Sequence, residues 1–397
     1  MAVIQGARQV GKSTLTLMAS EATSTTFVTL DDPATLEYAV VDPVRFLQQG
    51  QGKTLVIDEI QRAPSLILPL KAEVDRHRKP GRFILTGSAD LLTTPGVGDS
   101  LAGRAETLHL GPLSQGEILR QTSPEDFVST ILNRPDSLQE SVLSALTTEA
   151  VTTGGYPLVV SRTPRRQAAW FNSYIERLAT HDAAEIADGK YAAHFTRLIR
   201  TIAAGGLSEL VQVKVARALD ISPTTLSAYL DLMARMHLFV EIPTWGRSLH
   251  SRAVRRPKVA LCDTGLSAAL AGFTPADANQ VGGREYFGAL VEQFVALELL
   301  KQRTWSEVPF DLYHYRDRDG LEVDLVAETR DGRLIAIEVK TSMTPTKQHW
   351  GNLKKFRERF KDRQVTGVLL HGGTHTATMN GWLYVLPIPA LWNVPIG

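Results

Sequence analysis

Near the start of the chain stands Gly6-Ala7-Arg8-Gln9-Val10-Gly11-Lys12-Ser13, with Thr14 following, a glycine-framed run that ends in a lysine and hydroxyls. Glycines let backbone N–H groups close around phosphate oxygens, and the helix that follows presents its positive end to them. Lys12 then reaches the β- and γ-phosphates, and the Ser13 hydroxyl suits Mg²⁺. The run lies between an expected strand over 2–5 and an expected helix, the context such a loop requires. Downstream, Leu55-Val56-Ile57-Asp58-Glu59 is an apolar strand ending in two carboxylates. Adjacent carboxylates at a buried strand end are costly without a task. The task that fits is Mg²⁺ held through Asp58 and an attacking water polarised by Glu59. ATP and Mg²⁺ are therefore the expected ligands, against the plainer explanations of a chance glycine turn and a solvated strand end.

A second constellation lies near the C-terminus. Glu322-Val323-Asp324-Leu325-Val326 and Ile335-Ala336-Ile337-Glu338-Val339-Lys340 flank the turn pair Asp331-Gly332, which predicts a β-hairpin. With a period of two, Glu338 and Lys340 share one face of their strand, and Asp324 lies roughly opposite Glu338. Carboxylate oxygens suit Mg²⁺, which can activate water for attack on a phosphodiester, while Lys340 orients that water or stabilises the developing charge. Glu292, a polar residue in an otherwise apolar helix, is a further candidate metal ligand. Exposed charge on an edge hairpin is the competing explanation.

Other positions carry less. The hydroxyls of Thr86-Gly87-Ser88 either sense a γ-phosphate or belong to a simple turn. Arg104 is either an arginine finger for a nucleotide in its own or a neighbouring subunit, which makes a homo-oligomer one expected state, or an ordinary surface arginine. Asp31 and Asp32 read as helix caps more than cleft residues. Gln348 is a minor candidate beside the lysine motif. His314, His349, His371 and His375 lack metal-ligand spacing and read as non-ligands.

The chain that must position these groups has 397 residues, enough for two or three domains. Hydrophobic residues make up 43% and charged residues 21%, which suits folded domains rather than a disordered chain. Basic residues number 43 against 42 acidic ones, so a nucleic-acid surface must be a local patch. Two basic stretches offer one: Arg247, His250, Arg252, Arg255, Arg256 and Lys258, and then Arg316, Arg318 and the run Lys347, Lys354, Lys355, Arg357, Arg359, Lys361 and Arg363. DNA is the expected partner, with a solvated basic face as the alternative for any single residue. The single cysteine, Cys262, excludes an internal disulfide and fits a reducing compartment, so the cytoplasm is expected. No apolar run approaches the roughly 18 residues of a membrane helix.

Strands are expected over 2–5, 26–30, 54–58, 82–86 and 106–110, a pattern of parallel strands alternating with helices. Helical periodicity follows, broken at Gly154-Gly155-Tyr156-Pro157. A helix over 213–219, a turn at Asp220-Ile221-Ser222, a helix over 223–237 and a strand over 238–242 predict a winged helix, serving either DNA contact or protein packing. Residues 271–284 read as a linker. The expected domains are a phosphate-loop domain over 1–120, a helical segment over 121–205, a winged helix over 206–272 and an α/β domain over 273–397.

The run from Met1 to about Glu117, carrying GARQVGKST, TLVIDEIQ, LTGSAD and SLAGRAETLHLGPLSQGEI, resembles the AAA-type ATP-binding proteins of bacteria and archaea whose C-terminal half is a domain of unknown function. The resemblance continues through Gly154-Gly155-Tyr156-Pro157, Tyr174-Ile175-Glu176-Arg177 and the C-terminal motifs, so it covers nearly the whole chain. It implies an α/β fold of the P-loop NTPase type, with a parallel sheet in which the catalytic-glutamate strand is not next to the phosphate-loop strand. Relatives usually carry a few tens of residues before the first strand, where this chain has Met1, a departure that puts adenine recognition in doubt. The D-x(n)-E-x-K arrangement of Asp324, Glu338 and Lys340, with its preceding helix, is similar to the PD-(D/E)xK restriction-endonuclease-like superfamily and implies a nuclease-like domain. The expected function is a Mg²⁺-dependent ATPase coupled to a DNA-binding, nuclease-like domain. The alternatives are a nucleotide-dependent switch that cuts nothing and an inactive ATPase kept as a scaffold.

Overall fold

Short apolar runs separated by stretches long enough for helices pair side by side as a parallel sheet with helical crossovers. The computed structural model, which describes residues 1–21, 24–87, 101, 103–121, 123, 125–140, 144–182, 192–248, 252 and 255–394, has this arrangement at its N-terminus. The chain forms two compact units, Met1–Pro112 with Leu230–Leu238, and Leu113–Tyr229 with Phe239–Gly397.

In the first unit β1 (Ala2–Gln5), β2 (Thr25–Thr29), β3 (Thr54–Asp58), β4 (Phe83–Gly87) and β5 (Glu106–His109) lie in the order β2-β3-β4-β1-β5. All neighbours are parallel. β4 separates β1 from β3, as the resemblance implies, so the ends of β1 and β3 stand about 9–10 Å apart, two strand spacings. Leu55, Val56 and Ile57 of β3 are fully buried, whereas the edge strands β2 and β5 keep half-buried or exposed residues. Only the inner strands therefore read as unbroken apolar runs. The helices Lys12–Glu21, Pro33–Val41 and Ile67–Arg76 make the crossovers. Asp32 starts the second of these by accepting the Thr35 N–H at 2.8 Å, while Asp31 pairs with Arg62 at 2.7 Å.

In the second unit Gly154 ends the helix Thr148–Thr153 at φ 71, and a Cβ there would meet Asp263 Oδ1 at 2.2 Å. The Asp263 carboxylate accepts the N–H groups of Gly155 and Leu266 at 2.7 and 2.8 Å. Tyr156 is fully buried against Trp170, Phe171 and Tyr174, so the glycine–tyrosine motif is a packing centre.

β6 (Ser208–Glu209), β7 (Phe239–Ile242) and β8 (Lys258–Leu261) form an antiparallel sheet in the order β6-β8-β7. The helices Gln212–Leu219 and Pro223–Arg235 fall between β6 and β7 in sequence. Asp220 turns between them at φ 56, and Ser222 Oγ accepts the Thr225 N–H at 3.0 Å.

The largest sheet is mixed. β9 (Phe310–Arg316), β10 (Glu322–Thr329), β11 (Leu334–Lys340), β12 (Val365–His371), β13 (Ala377–Met379) and β14 (Leu383–Pro387) lie in the order β13-β14-β12-β11-β10-β9. β11 shows why its sequence reads as a near-continuous apolar run. Ile335, Ile337 and Val339 share a core with Leu290, Val291 and Phe294 of the helix Gly283–Gln302. Leu334 and Ala336 pack instead with Leu353 and Phe356 of the helix Gly351–Arg359. A strand covered on both faces must be apolar on both. β6, β13 and β14 were not anticipated; the first two are only two and three residues long. Asn380 and Gly381, at φ 53 and 66, make the tight turn joining β13 and β14.

Candidate functional site

β1 ends at Gln5 and the chain turns at once. A Cβ on Gly6 would come within 2.1 Å of the Leu110 carbonyl oxygen, so a glycine is required where the loop leaves the strand. Ala7 and Val10 are buried, while Arg8, Gln9 and Thr14 are exposed at the loop's rim. Lys12 opens the following helix, and its ammonium donates to the carbonyl oxygens of Gly6 and Ala7 at 2.9 Å each. Burial lowers the Lys12 pKa to about 8, against the opposing pull of Glu59 and Asp58.

Asp58 collects hydroxyls from two neighbouring elements. Ser13 Oγ donates to its two carboxylate oxygens at 2.9 and 3.1 Å, and Thr86 Oγ1, from β4, donates to Oδ1. These bonds compensate a carboxylate that is nearly out of water. They also close the gap between the ends of β1 and β3. Glu59 follows at φ 58, a left-handed conformation that costs a non-glycine residue about 1–2 kcal/mol. Its N–H donates to Thr86 Oγ1 at 3.3 Å, and Gln61 Nε2 donates to its Oε2. Hydroxyl and carboxylate oxygens are the donors Mg²⁺ takes, so Ser13 and Asp58, already in contact, fit that ion. Ser88 lies outside the described residues. Arg104 is placed on Asp75 of the same unit, with Nε and an Nη donating to the carboxylate at 2.7 and 2.9 Å.

The second constellation is also gathered, but with lysines in it. Asp324 Oδ2 accepts the Val339 N–H at 2.8 Å. Lys340 Nζ lies 2.7 Å from Glu338 Oε1 and 3.6 Å from Asp324 Oδ2. Glu292 arrives from the helix Gly283–Gln302, and its partner is Lys258 of β8 at 2.7 Å, which also reaches Glu322 at 3.3 Å. Burial, followed by the charge of Asp324, raises Glu292 to about 7 and Glu338 to about 8. Burial works against the charge of Lys258, but Glu292, Asp324 and Glu322 outweigh it and hold the ammonium above its ordinary pKa. Lys340 is raised in the same way, with burial opposing and Asp324 and Glu338 prevailing. Among the described residues, no three histidine, cysteine, aspartate or glutamate side chains stand together as a group able to hold a metal ion. Glu292, Asp324 and Glu338 are placed against ammonium groups rather than as a three-carboxylate metal set.

Tertiary pairing divides the basic stretches. Arg247 pairs with Asp362 at 2.8 Å, Arg252 with Glu328 at 2.7 Å and Arg359 with Asp319 at 3.0 Å. Lys258 is buried in the carboxylate cluster rather than exposed. Arg255, Arg256, Arg316 and Arg318 line a pocket of about 450 Å³. Lys347, Lys354, Arg357, Lys361 and Arg363 line a groove of about 1150 Å³ together with Trp350 and Trp382. The sequence reading missed both tryptophans, although the Asn380-Gly381 turn beside Trp382 is a recognisable hairpin signal. His250 lies outside the described residues. His314 and His371 are buried with a ring nitrogen on a carbonyl oxygen, at 3.1 Å from Arg256 and 2.8 Å from His375, and His349 Nδ1 accepts the Thr346 N–H at 3.2 Å. Among the described residues, no helix is long and apolar enough to cross a membrane.

Residues 1–119 match the family model described as an AAA domain. Residues 145–277 and 287–391 match two models, each described as a domain of unknown function (DUF8612 and DUF4143). The chain is similar to the uncharacterized protein Rv2008c of Mycobacterium tuberculosis and the uncharacterized protein Mb2031c of Mycobacterium bovis. Each is 26% identical over 390 residues, covering 97% of this chain and 79% of the relative. An AAA domain implies nucleotide binding, and in general ATPase activity. The N-terminal 119 residues, with their parallel sheet and phosphate loop, are thus similar to AAA domains, and residues 145–277 and 287–391 to domains of unknown function.

Proposed function

We propose that the protein is a Mg²⁺-dependent ATPase whose C-terminal α/β domain is a nucleic-acid platform controlled by nucleotide state. The observation that carries the ATPase reading is the contact of Ser13 and Thr86 with Asp58 beside Lys12. In this reading the loop N–H groups from Gly6 to Thr14 hold phosphate oxygens. Lys12 exchanges the Gly6 and Ala7 carbonyls for the β- and γ-phosphates, and Ser13 and Asp58 hold the metal. Mg²⁺ bound there neutralises charge on the phosphate oxygens. Glu59 takes the proton of the attacking water, and its left-handed backbone fixes where the carboxylate points.

The C-terminal half has two readings. The order β6-β8-β7, with a helix pair between β6 and β7 in sequence, supports a winged helix, and the flanked six-stranded sheet supports a nuclease-like fold. The gathering of Asp324, Glu338 and Lys340 favours a cutting enzyme. The Lys258–Glu292 pair favours a platform that cuts nothing, because a protein ammonium already neutralises one of the carboxylates a metal would need. The latter is the better supported.

The test is ATP- and Mg²⁺-dependent cleavage of plasmid and single-stranded DNA by the pure protein, with ATP hydrolysis measured in parallel beside Lys12→Ala and Lys340→Ala. Hydrolysis lost in Lys12→Ala, without any cutting that depends on Lys340, is the expected result. Hydrolysis that survives Lys12→Ala would sink the ATPase reading, and cutting lost in Lys340→Ala would replace the platform with a nuclease.

A further inference from the structure

Lys347, Trp350, Lys354, Arg357 and Lys361 recur every three or four residues along the helix Gly351–Arg359 and its flanks, which places them on one side. They form one wall of the groove of about 1150 Å³, and the start of β12 with the Asn380-Gly381 turn and Trp382 forms the other. The groove is larger than the roughly 300–1,000 Å³ of small-ligand pockets. By helical rise it runs roughly 20 Å. Five basic side chains line it against a single acidic one, Glu358, which lies 3.9 Å from Lys354. Lys347 and Lys361 are exposed and have no ion-pair partner among the described residues. An extended polyanion is what such a row attracts.

Arg357 narrows the choice. Its guanidinium lies over Trp382, 4.6 Å from the ring centre, with no carboxylate partner among the described residues. Gly367 lets that indole lie close to β12, since a Cβ there would come within 2.6 Å of the ring. A guanidinium lying over an indole ring presents the kind of surface on which an unpaired base stacks. A duplex buries its base faces and would leave this stack unused.

We propose that this groove binds single-stranded nucleic acid, with phosphates along the lysine row and a base on the Arg357–Trp382 stack. The inference rests on the nucleic-acid part of the proposed function and is independent of the ATPase part.

Fluorescence anisotropy with the full chain tests it, using a short labelled DNA strand, the same strand as a duplex and an RNA of the same sequence. Inorganic polyphosphate serves as competitor. The expected result is tighter binding of single strands than of duplex, with the DNA and RNA arms showing which sugar is preferred. Arg357→Lys, which keeps the charge and loses the plane, should weaken single-strand binding on the order of tenfold. Lys361→Ala should lower the slope of log K against log salt by about 0.7. Duplex binding as tight as single-strand binding would overturn the groove proposal and leave the nucleic-acid reading standing, whereas no binding of either would overturn both. Unchanged affinity in Arg357→Lys, or displacement by polyphosphate at equal phosphate concentration, would overturn the stacking site.

Discussion

Lys258 and Glu292 form a 2.7 Å ion pair between β8 and the long helix Gly283–Gln302, with only 6% and 17% of the two side chains exposed. The pair sits where the sequence suggests a metal ligand on one side and a phosphate-tracking lysine on the other. Each charge found its complement inside the protein.

Breaking a buried pair leaves one uncompensated charge, whereas replacing both partners by apolar groups does not. Lys258→Met is therefore expected to destabilise the second unit by about 3–5 kcal/mol at pH 8, and Lys258→Met combined with Glu292→Leu to recover most of that loss. Urea unfolding followed at the transition of this unit measures both. Equal losses in the single and double variants would show that the pair is not what holds these elements.

Glu338 carries a pKa raised above that of an unfolded glutamate, so the folded state binds its proton more tightly. The resulting stability is complete below the unfolded value and is lost as pH rises toward about 8. Glu338→Gln removes that dependence. Between pH 5 and 8 the variant should gain on the order of 3 kcal/mol relative to the native chain. Parallel stability–pH curves for the two proteins would contradict the assignment.

Lys12 must be charged to hold phosphate, yet burial lowers its pKa to about 8. Nucleotide binding above that pH then requires proton uptake. The dissociation constant for ATP should rise about fivefold between pH 8 and pH 9, the slope approaching one proton only above that. Isothermal titration in buffers of different ionisation enthalpy reads the proton directly, and Lys12→Arg should flatten the profile.

Gly154 faces the Asp263 carboxylate at a backbone angle suited to glycine. Gly154→Ala should lower the melting temperature by several degrees, through both strain and the clash. Asp263→Ala removes the clashing oxygens along with the acceptor for the Gly155 and Leu266 N–H groups. The double variant should therefore lose less than the sum of the two singles. Additive losses would place the strain elsewhere.

The phosphate loop, the acidic end of β3 and the carboxylates and lysine of the β10–β11 hairpin were legible because each is carried by neighbours in sequence. Glycine spacing, an apolar run and a period of two are local properties, and backbone sterics convert them into position without help from distant residues. The inner strands of both large sheets were legible for the same reason, since burial on both faces leaves an unbroken apolar run. The sequence by itself thus determined on which elements the glycine loop, the acidic strand end and the hairpin carboxylates and lysine stand. It did not determine what each charge is set against. Lys258 meets Glu292, Arg104 meets Asp75 and Arg357 lies over Trp382, and in each case the partner comes from a separate element. In a medium of low dielectric the nearest opposite charge dominates a side chain's behaviour. Which charge is nearest is decided only when the elements pack.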